Sequence, residues 1–360
     1  MSTASSITVA HVNVAKGYRG GERQTELLIR ELAGRGIGQR LVARRGGPLA
    51  ERLGDSGVKI RLVSGNPLGV AAATGGVDVV HVHEGRSVYG AYLRALMSRT
   101  PYILTRRVDN PIGEHRLAHA AYRHAFRVVA VAPQVADVVR RFDPAVRTDV
   151  IHSSGSSLPV DPVRSAAVRE RYRGKLIVGH VGALDNRQKG QEFIIEVARE
   201  LEESHPDLHF LLVGGGDDEI VLKRQASGLG NVTFAGFVDN VGDYLAAFDM
   251  FVLPSRREGI GSILLDAMEH RLPIVASRVG GVPEIVHDGD NGMLIDPERP
   301  DQLKARILSL AADPELRRRL GDTGHRIAQD FTADVMCRKY LALYEAAVAA
   351  RRGRVEALGR

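Results

Sequence analysis

Short runs of β-branched and apolar residues alternate with helical patterns along almost the whole chain, and this alternation restricts the fold more than any other feature of the sequence. It is typical of parallel sheets whose two faces are covered by helices. Helical spacing is clearest over residues 21–36, where Leu28 and Leu32 lie one turn apart. The pattern predicts strands over residues 7–14, 39–44, 59–63, 78–83, 102–107, 127–132, 148–153, 176–182, 208–214, 231–236, 250–255 and 273–280.

One segment interrupts this alternation and predicts a domain boundary. Residues 153–162 are rich in Ser, Gly and Pro, as an interdomain linker would be. The 360 residues also suit two domains. We therefore predict an α/β protein with Rossmann-like domains at 1–158 and 159–334, each with a doubly wound parallel sheet. From about Asp301 the pattern is helical. A helix predicted over about 335–360 could pack against the first domain. Two such sheets in tandem predict a ligand-binding cleft between them.

Composition and charge limit the classes of function. A single cysteine, Cys337, excludes an internal disulfide and argues against a thiolate zinc site. No apolar run approaches the ~18–20 residues of a membrane span, and the N-terminal segment does not resemble a signal peptide, so we expect a cytoplasmic protein. Residues 1–155 contain 22 Lys/Arg and 12 Asp/Glu, a net charge of +10, whereas residues 156–360 have a net charge of −4. An anionic ligand or surface is expected to face the first half, and nucleic acid is the least expected because no basic run is interleaved with aromatic residues.

Two carboxylates flank the start of a predicted helix after the strand at 250–255. Glu258 lies where the chain leaves this strand, and Asp266 lies about two turns into the helix. Gly259, Gly261 and Ser262 come at the helix start, where unpaired backbone N–H groups favour a phosphate. The residues alone leave two interpretations open. One ligand contacts both acids, or Glu258 interacts only with the helix dipole and Asp266 is an exposed helical residue.

An ordered set of motifs resembles the family 4 glycosyltransferases, which are of the glycosyltransferase group 1 type. The set runs from "GGERQTELLIREL" and "DVVHVH" through "GHVGALDNRQKGQEFIIEVA", "LVGGGDD" and "VTFAGFVDNVGDYLAAFDMFVLPS" to "EGIGSILLDAMEHRLPIVASRVGGVPEIVHDGDNGMLID". It covers nearly the whole chain. The resemblance implies the GT-B fold and a retaining enzyme that uses a nucleotide-sugar donor, with no covalent nucleophile and no cofactor.

The resemblance also implies a role for each residue that matches a family motif. Glu258 would contact hydroxyls of the transferred sugar, and Lys189 would pair with the leaving diphosphate. Asp266 would bind the nucleotide ribose, and the backbone N–H groups of Gly261 and Ser262 would meet the diphosphate. Further donor contacts are implied for two loops, Gly20 with Gly21 at the phosphates, and Gly236 to Val238 at the base. A lysine and helix-start amides would stabilise the departing diphosphate without a metal ion.

Three positions depart from the family pattern. Ala183 stands where an arginine is usual, and Arg187 either supplies the missing charge or is a solvated loop residue. Asp266 is one methylene shorter than the usual glutamate. Arg107 stands where many relatives have a histidine near the reacting sugar, with Arg106 beside it. Arginine is a poor proton shuttle but a good clamp for phosphate or carboxylate, so Arg107 and Arg106 are candidates for binding an acceptor or a phosphate. An ion pair of Arg107 with an acid such as Asp109 is the alternative.

Two histidines on the strand at 78–83 and the acid that follows it are further candidate site residues. His81 and His83 point to the same face of this strand, but no third ligand is evident, and we predict no metal site. Glu84 follows the same strand and is either an acceptor contact or a surface acid.

The sequence thus predicts a transferase that moves a sugar from a nucleoside diphosphate donor to a glycan or lipid-linked acceptor, in polysaccharide, lipopolysaccharide or glycolipid assembly. A sugar-nucleotide epimerase, a glycosyl phosphorylase and a non-catalytic sugar-nucleotide-binding subunit are the alternatives. A basic helix predicted over residues 114–127, with Arg116, Arg123 and Arg127, suggests weak peripheral contact with the inner face of the cytoplasmic membrane. An ordinary domain helix is the competing interpretation.

Overall fold

The structure is a computed structural model that describes residues 7–358. Residues 1–6, which belong to the N-terminal segment considered above, and residues 359–360, the end of the predicted C-terminal helix, lie outside the described residues. The chain forms two compact units. Unit 1 consists of Met1–Ser154 and Ala333–Arg360, and unit 2 consists of Gly155–Thr332.

Unit 1 contains a parallel sheet of seven strands within the described residues. Their order across the sheet is β3-β2-β1-β4-β5-β6-β7, where the strands are β1 (Thr8–Asn13), β2 (Gly38–Arg44), β3 (Lys59–Val63), β4 (Val79–Val82), β5 (Tyr102–Arg106), β6 (Arg127–Ala130) and β7 (Thr148–Val150). All four residues of β4 are buried, as expected for a strand covered on both faces. The strand order reverses between β1 and β4, and ligands bind beyond the carboxyl ends of the strands at such a switch point.

Helices connect the strands of unit 1 and cover both faces of its sheet. They are α1 (Gly20–Ala33), α2 (Pro48–Arg52), α3 (Pro67–Ala73), α4 (Val88–Ser98), α5 (Arg116–His124) and α6 (Pro133–Phe142), with a 3-10 turn at Gly85–Ser87. Proline opens α2, α3 and α6, where its missing N–H has no helical partner to lose. In α1 the Glu22 carboxylate accepts a hydrogen bond from the Arg19 backbone N–H at 2.9 Å, which fixes the start of the helix.

Unit 2 contains a second parallel sheet, with six strands within the described residues. Their order is β10-β9-β8-β11-β12-β13, where the strands are β8 (Leu176–Val181), β9 (Leu208–Val213), β10 (Val232–Gly236), β11 (Met250–Leu253), β12 (Ile274–Ser277) and β13 (Met293–Ile295). The order reverses between β8 and β11, which makes their carboxyl ends the expected ligand site of this unit.

The helices of unit 2 follow the same alternation. They are α7 (Pro162–Arg171), α8 (Asn186–Lys189), α9 (Gln191–Leu201), α10 (Glu219–Gln225), α11 (Val241–Leu245), α12 (Ile263–Glu269), α13 (Pro300–Ala312) and α14 (Pro314–Ala328), with 3-10 turns at Val282–Glu284 and Gln329–Phe331. The core of the unit is formed by apolar residues of the sheet together with those of α9, α13 and α14, including Phe210, Ile194 and Leu320.

The last helix, α15 (Ala333–Leu358), belongs to unit 1 although it follows unit 2 in the chain. Tyr340 and Tyr344 of α15 are at most 1% exposed and share a core cluster with Val9 of β1 and Ile103 of β5. The chain therefore passes between the two units twice, at residues 154–155 and 332–333.

The predicted α/β fold class with two Rossmann-like parallel sheets is confirmed. Each of the twelve predicted strands is present, but the thirteenth, β13, was missed because three apolar residues are too few to give a periodic signal. The predicted helix over 114–127 is too long, since α5 ends at His124 and Arg127 opens β6. Among residues 7–358, none of the helices combines the length and apolar character needed to cross a membrane.

Candidate active site

The sequence motifs of unit 2 meet at the switch point between β8 and β11. Lys189 is the last residue of α8, which follows β8, and Glu258 lies in the loop after β11. Gly190, directly after Lys189, has a φ of 65°. A Cβ atom there would lie 2.4 Å from the Pro254 carbonyl oxygen, so only glycine allows the β8 loop to pack this closely on the β11 loop.

Lys189 and Glu258 form an ion pair at this point. The Lys189 Nζ donates to Glu258 Oε1 at 2.5 Å, and the Ser255 hydroxyl donates to the same oxygen at 2.7 Å. The side chains of Lys189 and Glu258 are 16% and 6% exposed, so the pair is largely shielded from water. A shielded lysine at a switch point is suited to meet a phosphate, and a carboxylate beside it can accept hydroxyl hydrogens.

Arg256, which the sequence interpretation missed, holds the two loops together. It donates to the Asn186 carbonyl oxygen at 2.7 Å and forms ion pairs with Glu192 and Glu298. Its guanidinium also lies 4.5 Å from the centre of the Phe193 ring. These contacts fix α8, and therefore Lys189, against the Glu258 loop. Its position two residues before Glu258 was visible in the sequence, but its partners are 42 to 70 residues away in the chain.

Gly280 supports the Glu258 loop from the other side. It has a φ of 51°, and a Cβ atom there would lie 1.8 Å from the Glu258 carbonyl oxygen. The neighbouring Gly281 N–H donates to the Gly259 carbonyl oxygen at 2.8 Å. The "RVGG" segment after β12 is therefore a packing surface for the backbone of Glu258 and Gly259.

His180 lies under this site in β8 and is fully buried. Its Nδ1 is 3.0 Å from the Val252 carbonyl oxygen, and its Nε2 is 3.3 Å from the Gln191 amide nitrogen. Burial lowers the pKa of His180 to about 4, with a smaller contribution from the positive charge of Lys189. The ring is therefore neutral near pH 7 and links β8 to β11 without adding a charge below the ion pair.

Asp266 has a contact that the sequence did not predict. Its Oδ1 accepts a hydrogen bond from the Ser156 backbone N–H at 2.6 Å, and its Oδ2 is 3.4 Å from the Ser156 hydroxyl. One turn later, Glu269 accepts from the Ser157 N–H at 3.1 Å. The α12 helix thus holds the start of the linker segment. Asp266 is 2% exposed, so the interpretation of an exposed helical acid is wrong. Its proposed contact with ribose stays a prediction.

The remaining donor candidates lie at loop positions of unit 2. Gly261 has a φ of 68°, and Ser262 precedes the seven-residue α12, so their backbone N–H groups are at the start of that helix. Gly236 ends β10 with a φ of 73°, and Val238 follows two residues later. Arg187 is exposed, and among the described residues no partner is found for its guanidinium. It is therefore available as an additional positive charge near Lys189, in the same short helix.

In unit 1, Gly20 and Gly21 form the first turn of α1, beyond the end of β1. Their contact with donor phosphates stays a prediction. The Glu84 carboxylate accepts hydrogen bonds from the backbone N–H groups of Arg86 and Ser87 at 2.7 and 3.0 Å, so it caps a 3-10 turn. Capping the 3-10 turn is thus a local role for Glu84, and its contact with the acceptor stays a prediction.

The two arginines after β5 have different surroundings. Arg106 donates to the Tyr122 hydroxyl at 3.2 Å and to the Asn110 carbonyl oxygen. Within residues 7–358, Arg107 donates to the Ser153 hydroxyl at 3.3 Å, and burial lowers the pKa of its guanidinium. Among the described residues no ion pair is formed by Arg107, so the expected alternative of a pair with Asp109 is not observed.

His81 and His83 do point to the same face of β4, and β1 adds a third histidine that the sequence analysis did not find. The ligand atoms of His11, His81 and His83 lie within 4.8 Å of one another, and all three side chains are buried. Burial lowers the pKa of each ring, that of His11 to about 3. Both nitrogens of His81 are hydrogen-bonded, to Tyr344 at 2.6 Å and Thr105 at 2.7 Å. These neutral rings form a hydrogen-bonded network in the core of unit 1.

Two of the three arginines predicted to contact a membrane form ion pairs within unit 1. Arg123 forms an ion pair with Asp143 at 2.6 Å, and Arg127 forms one with Asp149 at 3.2 Å. Tyr122 is buried on the inner side of α5, whereas Arg116 and Leu117 are exposed. Two of the three arginines and the Tyr122 ring therefore fit the interpretation of an ordinary domain helix.

Comparison with known proteins gives a consistent result. Residues 175–313 match the family model described as Glycosyl transferases group 1, and this range includes Lys189, Glu258 and Asp266. The chain is similar to an alpha-D-kanosaminyltransferase of Streptomyces kanamyceticus, with 31% identity over 68% of this chain and 64% of that protein. It is also similar to an alpha-maltose-1-phosphate synthase of Mycolicibacterium smegmatis, with 27% identity over 74% of this chain and 78% of that protein.

The match to the first curated relatives is partial, because the chain spans between 41% and 64% of their length. Among solved structures, the chain is similar to Anabaena HepE in complex with UDP and glucose. The TM-score is 0.84 at 19% identity, over 94% of this chain and 99% of that one. At this identity the likeness shows a shared fold.

Proposed function

The chain belongs to the group 1 glycosyltransferases, and we propose that it moves a sugar from a nucleoside diphosphate donor to an acceptor hydroxyl with retention of configuration and without a metal ion. The observation that carries this proposal is the shielded ion pair between Lys189 and Glu258, at 2.5 Å, at the switch point of unit 2. Both residues lie in the range that matches the family model.

The proposed chemistry assigns different tasks to the two members of this pair. Cleavage of the anomeric bond builds negative charge on the leaving diphosphate, and the Lys189 ammonium stabilises it. Glu258 binds hydroxyl groups of the transferred sugar and fixes its orientation. The departing phosphate oxygen receives the proton of the acceptor hydroxyl, as the family resemblance implies. No carboxylate acts as a covalent nucleophile in this scheme.

Further contacts to the donor come from unit 2. The backbone N–H groups of Gly261 and Ser262 meet the diphosphate, Asp266 accepts a hydroxyl hydrogen of the ribose, and the loop from Gly236 to Val238 holds the base. Arg187 adds positive charge near the phosphates in place of the arginine that is absent at Ala183. The solved relative with UDP and glucose makes UDP-sugars the first donors to test.

The acceptor class and the setting belong to the same proposal. We infer a glycan or lipid-linked acceptor in polysaccharide, lipopolysaccharide or glycolipid assembly in the cytoplasm. Contact with an anionic membrane would be weak, on the order of 1 kcal/mol for each basic residue near the surface. It would depend mainly on Arg116, because Arg123 and Arg127 are already paired. Loss of salt-sensitive vesicle binding in R116Q, measured by co-sedimentation, would support it, and unchanged binding would remove α5 from this role.

A donor panel tests the transferase proposal. UDP-, GDP- and ADP-sugars are screened by thermal shift, and stabilising donors are then incubated alone, with phosphate, and with glycan or lipid-linked acceptors. Release of nucleoside diphosphate with a new α-linked product from an α-linked donor is the expected result. Donor isomerisation alone would indicate an epimerase, a sugar phosphate would indicate a phosphorylase, and tight binding without turnover would indicate a binding subunit.

A further inference from the structure

A buried acid of α1, Glu26, connects this helix to two other parts of unit 1. Glu26 is 7% exposed and accepts hydrogen bonds from three side chains. The Tyr18 hydroxyl, in the loop after β1, donates to Oε2 at 2.7 Å, and Arg52 of α2 donates to the same oxygen at 3.1 Å. Arg30, one turn later in α1, donates to Oε1 at 2.9 Å. Because a buried carboxylate is unfavourable without such partners, these contacts form together, and they join the loop after β1 to α1 and α2.

Arg52 also covers the ring of Tyr18. Its guanidinium lies 4.4 Å from the centre of this ring, a distance at which a cation attracts the aromatic face. The backbone of Arg52 is held in turn, since Arg30 Nη2 donates to its carbonyl oxygen at 2.7 Å. Burial and the contact with Glu26 raise the pKa of Tyr18 to about 12, so its hydroxyl remains a hydrogen-bond donor near pH 7. Tyr18 is thus fixed both at its hydroxyl and on its ring.

The contact of Tyr18 attaches the middle of a loop whose two ends are fixed separately. At the start of the loop, Asn13 Oδ1 accepts a hydrogen bond from the Ala15 N–H at 3.2 Å. At its end, the Glu22 carboxylate accepts one from the Arg19 N–H at 2.9 Å. Residues 16 and 17, between these points, are exposed. Residues 14–19 therefore have a defined path up to the two glycines that open α1.

We propose that Tyr18 is a positioning residue for the donor phosphates, because its bond to Glu26 fixes the loop that ends at Gly20 and Gly21. Backbone N–H groups favour a phosphate most when their direction is set before the ligand arrives. This inference rests on the proposed transferase function and on the predicted contact of the two glycines with the donor phosphates. Tyr18 itself does not contact the donor in this proposal.

The first experiment compares two ligands that differ only in their phosphates. Tyr18→Phe removes the hydroxyl and keeps the ring on which Arg52 lies. UDP and uridine, or whichever nucleoside diphosphate binds best and its nucleoside, are titrated into the wild type and Y18F by calorimetry. We expect at least about fivefold weaker binding of UDP in Y18F, as for loss of one hydrogen bond, and uridine affinity within about twofold of the wild type. A variant that only lowers stability would not separate the two ligands in this way.

Hydrogen exchange reports on the loop itself. In Y18F the amides of residues 15–21 should exchange faster, while those of β1 and β4 stay as protected as in the wild type. Arg52→Gln removes the other contact to the Tyr18 side chain and should weaken UDP binding in the same direction. Tyr89→Phe is the matched control, because it removes the exposed hydroxyl 3.2 Å from His115 Nε2, elsewhere in unit 1. Its UDP affinity should remain within about twofold of the wild type.

Three results would overturn the role of Tyr18. Equal UDP affinity in the wild type and Y18F would show that the attachment of the loop does not serve the phosphates. Equal weakening of UDP and uridine would indicate a general effect on the fold. Unchanged exchange of residues 15–21 in Y18F would mean that the loop is held without the hydroxyl. If no nucleoside diphosphate binds to the wild type, the proposed transferase function fails as well, whereas the first three results leave that function intact.

Discussion

Under the proposed function, the members of the Lys189–Glu258 ion pair would separate when the donor binds. Each neutralises the other at 2.5 Å within a largely shielded site, so neither charge is left uncompensated. A diphosphate offers Lys189 a second anionic partner, and sugar hydroxyls offer Glu258 hydrogen-bond donors. In this proposal the same two side chains link the α8 and Glu258 loops and also bind the donor.

Lys189→Ala is expected to lower turnover far more than donor binding. The Lys189 ammonium stabilises the diphosphate most strongly in the transition state, when negative charge develops on the leaving group. Loss of one such stabilising group lowers the rate by about 10²–10³. The measurement is the transfer rate at saturating donor and acceptor, with donor affinity from calorimetry. Arg187→Ala should also lower turnover, by less than Lys189→Ala, if Arg187 compensates for the arginine absent at Ala183. Wild-type turnover in Lys189→Ala would contradict the assignment.

Replacing the two acids of the donor motif, Glu258 and Asp266, should have different effects on the affinity for a nucleoside diphosphate that carries no sugar. In Glu258→Ala the affinity should stay equal or rise, because Lys189 loses its competing partner, while sugar transfer falls at least about tenfold. In Asp266→Ala the affinity should fall about tenfold, because one charged hydrogen bond to ribose is lost.

Asp266 also holds the linker, and a control must separate the two tasks. Glu269→Ala removes the neighbouring contact to the Ser157 N–H at 3.1 Å and no proposed contact to the donor. We expect its nucleoside diphosphate affinity to remain within about twofold of the wild type. If Asp266→Ala and Glu269→Ala weaken binding equally, Asp266 acts on the linker and not on ribose.

At this scale the sequence predicted the motif residues but not what surrounds them. Glu258 was recognisable from the strand end before it and the glycines after it, whereas Lys189 was identified only through the family resemblance. The partners of Arg256, the packing of Gly280 on Glu258 and the bond from Ser156 to Asp266 join residues far apart in sequence. No local pattern specifies such contacts, since they depend on which loops the sheet of unit 2 brings together.

Among the elements, the loop after β12 packs directly against the backbone of Glu258. Gly280→Ala would place a Cβ atom 1.8 Å from the Glu258 carbonyl oxygen, and backbone on both sides would have to move. We expect a lower melting temperature and at least a tenfold slower transfer, on the order of the loss from a misplaced catalytic group. The combined measurement is thermal unfolding and transfer rate.

Gly289 offers a matched control for this variant. Its φ of 80° is equally unfavourable for alanine, but no atom lies within 4 Å of the Cβ position. Gly289→Ala should cost about 1–2 kcal/mol of stability from backbone conformation alone and leave transfer unchanged. Equal transfer rates in both variants would show that the loop after β12 does not position Glu258.

Element prediction succeeded where burial is nearly complete and failed where segments are short. Strands such as β4 and β9 are buried at every position and contain one histidine each among apolar residues, which is the pattern that a parallel sheet covered on both faces favours. The three-residue β13 and the early end of α5 depend on pairing partners and on where the chain turns. Residues 124–127 contain both helix- and strand-forming types, so the boundary was decided by the sheet.

On the scale of the whole molecule, the two sheets were predictable from the restart of the alternation after residue 162, whereas the position of α15 was left open. Its apolar residues indicate that one face is buried, but the sequence does not say against which sheet. The structure places Met336, Tyr340 and Tyr344 in the core of unit 1. Unit 1 therefore depends on residues that are made after all of unit 2.

This discontinuity predicts an asymmetric effect of truncation. A chain that stops after Thr332 lacks Tyr340 and Tyr344, and loss of each large buried side chain costs about 3–5 kcal/mol, comparable to much of a domain's stability. Hydrogen exchange should show lost protection in β1, β4 and β5, while β8, β9 and β11 stay protected because their core cluster lies within Gly155–Thr332.

A chain that stops after Gly353 is the matched control, because it keeps every α15 side chain that the described residues contribute to the unit 1 core cluster. Its hydrogen exchange should equal that of the full chain in both sheets. Loss of protection in both units of the shorter chain would mean that the units unfold as one cooperative body. Full protection of unit 1 without α15 would contradict the prediction. Removing Tyr340 and Tyr344 exposes the apolar residues of β1 and β5 that they cover, and of the described helices only α1 also packs in that cluster.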